Sequence, residues 1–224
     1  MSDPSVQAPP DLRALVAADL TPVRPLRPPL GRAVALLPLA LLLLVAAPLV
    51  FELRDVSRLG WFWSWGASLI QMTGGLLLLA AALNEAIPGR PWPAASLAGF
   101  VVAAIALVVT TTWGSWQASP VLLRGAWWSV GAMCLGASVT TALPAMALAA
   151  ILAVRALPTR PVVTGLLIGL GAGLLADAGW RLFCHYSEPA HVLAGHLGAV
   201  LLAGLAGAAL TGMLARTAQS VRGV

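Results

Sequence analysis

The chain has 224 residues, 59% of them hydrophobic and only 9% charged, with a mean hydropathy of +0.90. A soluble domain carries roughly 25% charged residues, so this composition excludes a globule coated by its own charges and turns most of the surface toward lipid. The net charge of +5 is the balance of thirteen arginines, with no lysine, against eight acidic residues. They are scattered between apolar runs without the basic stripe that nucleic-acid binding uses, and no direct nucleic-acid contact is expected.

The first thirty residues are polar and proline-rich. No signal peptide is predicted, because the first apolar run is too long for a signal core and no clear cleavage site follows it. Within this segment, Asp11 to Leu20 reads as a short helix, with Asp11 placed where an acid opposes the helix dipole. Leu12, Leu15, Val16 and Leu20 form one apolar stripe along it. A helix this short is marginal alone; it would order on lipid, on its own loops, or in a partner's groove. Thr21-Pro-Val-Arg-Pro-Leu-Arg-Pro-Pro-Leu30 follows. Its prolines preclude a continuous helix and predict a stiff, extended linker, with Arg24, Arg27 and Arg32 near anionic lipid.

Six stretches are long and apolar enough to cross a membrane, which takes about 20 residues each. They run from about Ala33 to Phe51, Gly66 to Ile87, Ala94 to Thr112, Val130 to Val154, Val162 to Trp180 and His191 to Leu214. The expected fold is therefore an all-α polytopic bundle. It divides into a cytoplasmic N-terminal segment (1–32), a six-helix transmembrane domain (33–215) and a short cytoplasmic tail (216–224).

Orientation follows from the arginine bias between faces. With the N-terminus inside, Arg13, Arg24, Arg27, Arg32, Arg90, Arg155, Arg160, Arg216 and Arg222 are inner, against Arg54, Arg58, Arg124 and Arg181 outside. Both termini are thus expected in the cytoplasm. All the tryptophans except Trp92 fall at the outer ends of spans, more one-sided than an ordinary interfacial belt. In the fifth span Gly165, Gly169 and Gly173 share one helical face, a spacing that permits close helix approach, within the chain or in a dimer.

The outer face also collects the reactive side chains. Cys134 and Cys184 are both placed there, on the oxidising side, either as inert buried thiols or as a structural or redox-active pair. His185, His191 and His196 all lie between Cys184 and the top of the sixth span. Cysteine and histidine together suit zinc, yet their spacing matches no standard zinc motif, and neither a metal site nor a cofactor is expected. Asp177 and Arg181, one helical turn apart, are read as pairing with each other. Gln71 is the most polar residue of any mid-span, so a transporter path is disfavoured. The standard enzyme motifs are missing, and no enzymatic activity is expected.

The pattern Asp11-Leu-x-x-x-Leu-x-x-Asp-Leu, the following Pro-Val-Arg-Pro-Leu-Arg-Pro-Pro and the six spans resemble the NrsF-type membrane anti-sigma factors. The stretch from Leu182 to His191 is similar to that family's Leu-His-Cys-Pro-Glu-type connection, though here Cys184-His185 stands in reversed order and lacks the following proline. The length and tryptophan content would also suit that family's carotenoid-controlling, light-responsive branch. The resemblance implies that a short cytoplasmic N-terminus sequesters an extracytoplasmic-function sigma factor at the inner membrane, through Leu12, Leu15, Val16, Leu20, Arg24 and Arg27. It further implies that the membrane domain receives a releasing signal, with Cys134, Cys184, His185 and His191 as sensing candidates. A small transporter or channel is the alternative.

Overall fold

Long uncharged runs of Leu, Ala, Val and Gly satisfy their backbone groups in an apolar medium by closing helices. The computed structural model describes residues 10–19, 27–51, 56–122 and 127–221, and is helical throughout, with no strand among the described residues. Helix α1 (Pro10–Asp19) precedes the bundle. The bundle then comprises α2 (Pro29–Val34), α3 (Leu37–Val50), α4 (Val56–Trp61), α5 (Ala67–Glu85), α6 (Ala94–Ala118), α7 (Trp127–Val154), α8 (Pro161–Phe183), α9 (Pro189–His191) and α10 (Gly198–Val221). Two π-helical turns are inserted, Phe62–Gly66 before α5 and Val192–Leu197 before α10.

These elements make six segments long and apolar enough to span a membrane, as expected: Pro29–Ala46, Leu59–Glu85, Ala94–Ala118, Trp128–Val154, Pro161–Phe183 and Pro189–Ala218. The second begins at Leu59 rather than Gly66, because the π turn carries the helix back through the tryptophan cluster. Gly60, at φ +73°, supplies the break in α4. Large apolar side chains such as Leu205, Met213 and Leu77 point outward, the inside-out pattern of a lipid-facing bundle.

Helix α8 is the central post. It packs against α10, α5, α7 and α3, and nearly all its side chains from Thr164 to Leu182 are buried. Glycine makes this possible. A Cβ at Gly165 or Gly169 would run into the α10 backbone at Gly207 or Ala203, and one at Gly173 would meet Val200. Gly171 meets α5 at Gly75, where an added Cβ would lie 2.9 Å from the Gly75 carbonyl oxygen. Gly179 faces the backbone of α3 at Leu43. The glycine face read from the sequence is therefore used for packing within the chain. Replacing Gly169 by Val should destabilise the bundle by about 3 kcal/mol or more, because the obstructing atoms are backbone. Gly99→Ala, with nothing within 4 Å of its added carbon, should leave stability unchanged within about 0.5 kcal/mol. Thermal unfolding of both variants in detergent checks the contrast.

The end of the bundle nearest the chain termini is tied by polar contacts. Glu85 is buried and accepts from Arg160 Nε at 2.7 Å and from the Trp92 backbone N–H at 2.7 Å. Arg160 also donates to the Trp92 carbonyl at 3.0 Å, while the Trp92 indole N–H donates to Ala81 O at 3.0 Å. Arg32 donates to the Leu152 carbonyl, joining α2 to α7. This polar girdle holds the α5–α6 and α7–α8 connections together.

Candidate functional site

The opposite end of the bundle holds a second polar cluster, and this one is buried. Cys134 lies near the start of α7 and Cys184 just past the end of α8, while His191 immediately precedes the π turn that leads into α10 and His196 lies within it. All four are buried. One potential ligand atom from each lies within 4.8 Å of those from the other three. Neither cysteine is in a disulfide.

Local backbone geometry assembles this set. His191 and His196 are five residues apart, which on an α-helix would separate them by about 140°. A π turn repeats at i→i+5, so the two imidazoles come to the same side, ring centroids 5.6 Å apart. Cys134 reaches them because α7 and the π turn touch at glycines. A Cβ at Gly195 would lie 3.3 Å from Gly131 O and 3.6 Å from the Cys134 Cβ. Cys184 completes the group, its Sγ 3.4 Å from His191 Nε2. The Cys184 thiol is held well below its ordinary range. The hydrogen bond with Cys134 is the largest cause, burial works against it, and His191 adds to it.

Charged and amide groups support the cluster from behind. Asp177, fully buried in α8, lies 2.5 Å from His196 Nδ1 and accepts from the Gln71 side-chain amide of α5. A carboxylate accepts and does not donate when ionised, so Asp177 fixes His196 with its proton on Nδ1. His196 Nε2 then makes no well-formed hydrogen bond among the described residues and faces the Cys184 sulfur, and His191 Nδ1 has no hydrogen bond either. Arg181 donates to Thr112 at 3.4 Å and Ser115 at 3.3 Å, both on α6. The expected Asp177–Arg181 pair stands as an electrostatic attraction along α8, while the hydrogen bonds of each group go to other helices, because burial demands several partners for each. A cavity of about 10 Å³ lies beside Thr112, Ser115, Arg181, Cys184 and His196.

The sequence-predicted sensing residues divide. Cys134, Cys184 and His191 come together, while His185 is exposed, packs on Phe183 and stays outside the group. His196 takes its place, and with Asp177 and Gln71 was not singled out as a site residue. The signal for it was the five-residue histidine interval, meaningful only once a π turn is known. Of the proposed docking residues, Leu12, Leu15 and Val16 are exposed on α1, and Arg27 is exposed. Leu20 and Arg24 lie outside the described residues.

Fold and site define a helical, polytopic bundle with a buried thiol–imidazole cluster at one end and a separate amphipathic helix leading into the other. The NrsF family, described as Negative regulator of sigma F, matches residues 16–216, about nine-tenths of the sequence. The chain belongs to this family and is thereby a negative regulator of a sigma factor. No curated protein and no solved structure gives a significant match.

Proposed function

We propose that this chain is a membrane-bound anti-sigma factor whose cytoplasmic segment, residues 1–32, holds an extracytoplasmic-function sigma factor at the cell inner membrane. The observation that carries the reading is α1, with Leu12, Leu15 and Val16 each at least half exposed along one side. An amphipathic helix with an uncovered apolar stripe is the standard element for insertion into a partner's groove. Exposed Arg27 adds positive charge to the segment that connects it to the bundle. The arginine bias of the loops supports placing α1 and both termini in the cytoplasm. The six-span domain, 33–215, then anchors the docking helix in the lipid bilayer, and residues 216–224 form the tail.

Release follows when a signal alters the state of the membrane domain. Cys134, Cys184, His191 and His196 form the receiving group at the far end, with His185 exposed beside them. Thiols and imidazoles, with the tryptophans that share this end, react with oxidants, and the reading extends to oxidative or photo-oxidative input such as governs a carotenoid response. A transporter reading gains no support from the polar residues. They fall into two clusters at opposite ends, with buried Leu79, Met146, Leu167, Leu170 and Leu174 among the apolar core packed between.

Affinity capture with tagged residues 1–32 tests the docking half. A sigma factor should co-purify, and a segment that retains none places the sigma contact elsewhere in the chain.

A further inference from the structure

We propose that Cys134, Cys184, His191 and His196 bind one zinc-class divalent cation in a four-coordinate site buried in the bundle. The proposal rests on the geometry of these four side chains and stands apart from the sigma-factor reading.

The donor set comes first. Two thiols and two imidazoles are the ligands of tetrahedral zinc, and the potential ligand atoms already lie within 4.8 Å of one another. Zinc bonds of about 2.3 Å to sulfur and about 2.0–2.1 Å to nitrogen, opened to the tetrahedral angle, place S and N about 3.5 Å apart. The Cys184 Sγ to His191 Nε2 separation is 3.4 Å. Small shifts of the remaining side chains close the shell.

The second argument is the outer shell. A metal-bound histidine almost always gives its other ring N–H to a carboxylate, backbone carbonyl or water. His196 meets that pattern: Nδ1 is held by Asp177 at 2.5 Å, and Nε2 is buried with no well-formed hydrogen bond, facing the Cys184 sulfur. Asp177 is itself fixed by Gln71. An orphaned, buried imidazole nitrogen costs free energy unless something binds it, and a cation among the neighbouring thiols answers that need.

Charge selects the valence. Binding forms two metal–sulfur and two metal–nitrogen bonds, and the protons still held by the four ligand groups beyond one N–H on each imidazole leave to solvent. A divalent ion with two thiolates and two neutral imidazoles sums to zero. Asp177 and Arg181, both buried within the same end of α8, also sum to zero. A monovalent ion would leave a net negative charge in an apolar surrounding, which is costly. The ion would link α7 to the α8–α10 connection, elements that meet here through glycine.

The test uses the full chain purified in detergent. Elemental analysis should find one zinc ion per chain, and X-ray absorption should show a shell of two sulfurs and two nitrogens. Chain stripped by a chelator should take up added Co²⁺ alone and develop the intense visible bands of a tetrahedral thiolate–imidazole site. Cys184→Ser and His196→Gln should fall to background metal content, while His185→Gln should retain the full amount. Wild-type chain that takes up neither zinc nor cobalt in stoichiometric amount, or whose metal has no sulfur ligand, overturns the site. These wild-type readouts do not depend on any variant folding. Wild-type chain that binds neither zinc nor cobalt yet captures its sigma factor would overturn this site and leave the docking proposal standing.

Discussion

A full-length chain carrying Leu15→Asp will accumulate in the membrane at its normal level and fail to repress. Leu15 is 69% exposed in this structure, so an aspartate there costs the folded chain little. In a partner's groove the same carboxylate would lose its water without gaining a counter-charge, at a cost of several kcal/mol. Each 1.4 kcal/mol is tenfold in affinity, and a penalty of about 3 kcal/mol weakens docking roughly 100-fold. A reporter driven by the cognate sigma factor should therefore rise to the level seen without the chain. Leu15→Met, which keeps the apolar contact, should repress normally. Full repression by Leu15→Asp would remove α1 from the docking surface.

The largest stability effect should come from Asp177→Leu. Asp177 lies at the centre of the buried polar end, bonded to His196 on one side and Gln71 on the other. Leucine would leave both partners unpaired in an apolar interior. Removing one member of a buried charged pair typically costs about 3–5 kcal/mol, and unfolding in detergent should show a loss of that order. Asp177→Asn keeps an acceptor for His196 and should lose less. An Asp177→Leu chain as stable as the parent would mean that His196 finds a different partner, and the geometry of the thiol–imidazole group would need revision.

Much of this architecture was legible in the sequence because lipid imposes a simple rule. About 20 apolar residues make a span, and six such runs became six membrane-length helices with modest shifts at their ends. The stripe of Leu12, Leu15 and Val16 was equally legible, since an α-helix repeats on a fixed angle and α1 keeps it. The glycines of α8 announced a close approach but not its direction; only the fold shows that Gly165 and Gly169 serve α10, Gly171 serves α5 and Gly179 serves α3. The buried site was half visible. Cys134, Cys184 and His191 were named from their shared end of the bundle, yet His185 was preferred to His196. On an α-helical register His196 points away from His191, and nothing in the residue types of Val192–Leu197 declares the π turn that brings it back. Asp177 was only partly legible for a related reason. Arg181, four residues on, is its natural neighbour on one helix, whereas the groups it bonds come from α5 and the start of the sixth span.

The two ends of the molecule suggest how a regulator of this kind divides its labour. The polar girdle around Glu85 and Arg160 fixes the end into which α1 leads, and the thiol–imidazole group occupies the other. Helix α8 runs between them, buried along almost its whole length and carrying Asp177 and Arg181 near one end. A change at the Cys184 end would act on the helix that every other part of the core is packed around.

The measurement closest to the central claim is where the sigma factor resides. In fractionated cells the proposal predicts that it sediments with membranes containing the intact chain and moves to the soluble fraction when the chain carries Leu15→Asp. A sigma factor that remains soluble beside the intact chain in unstimulated cells would contradict it.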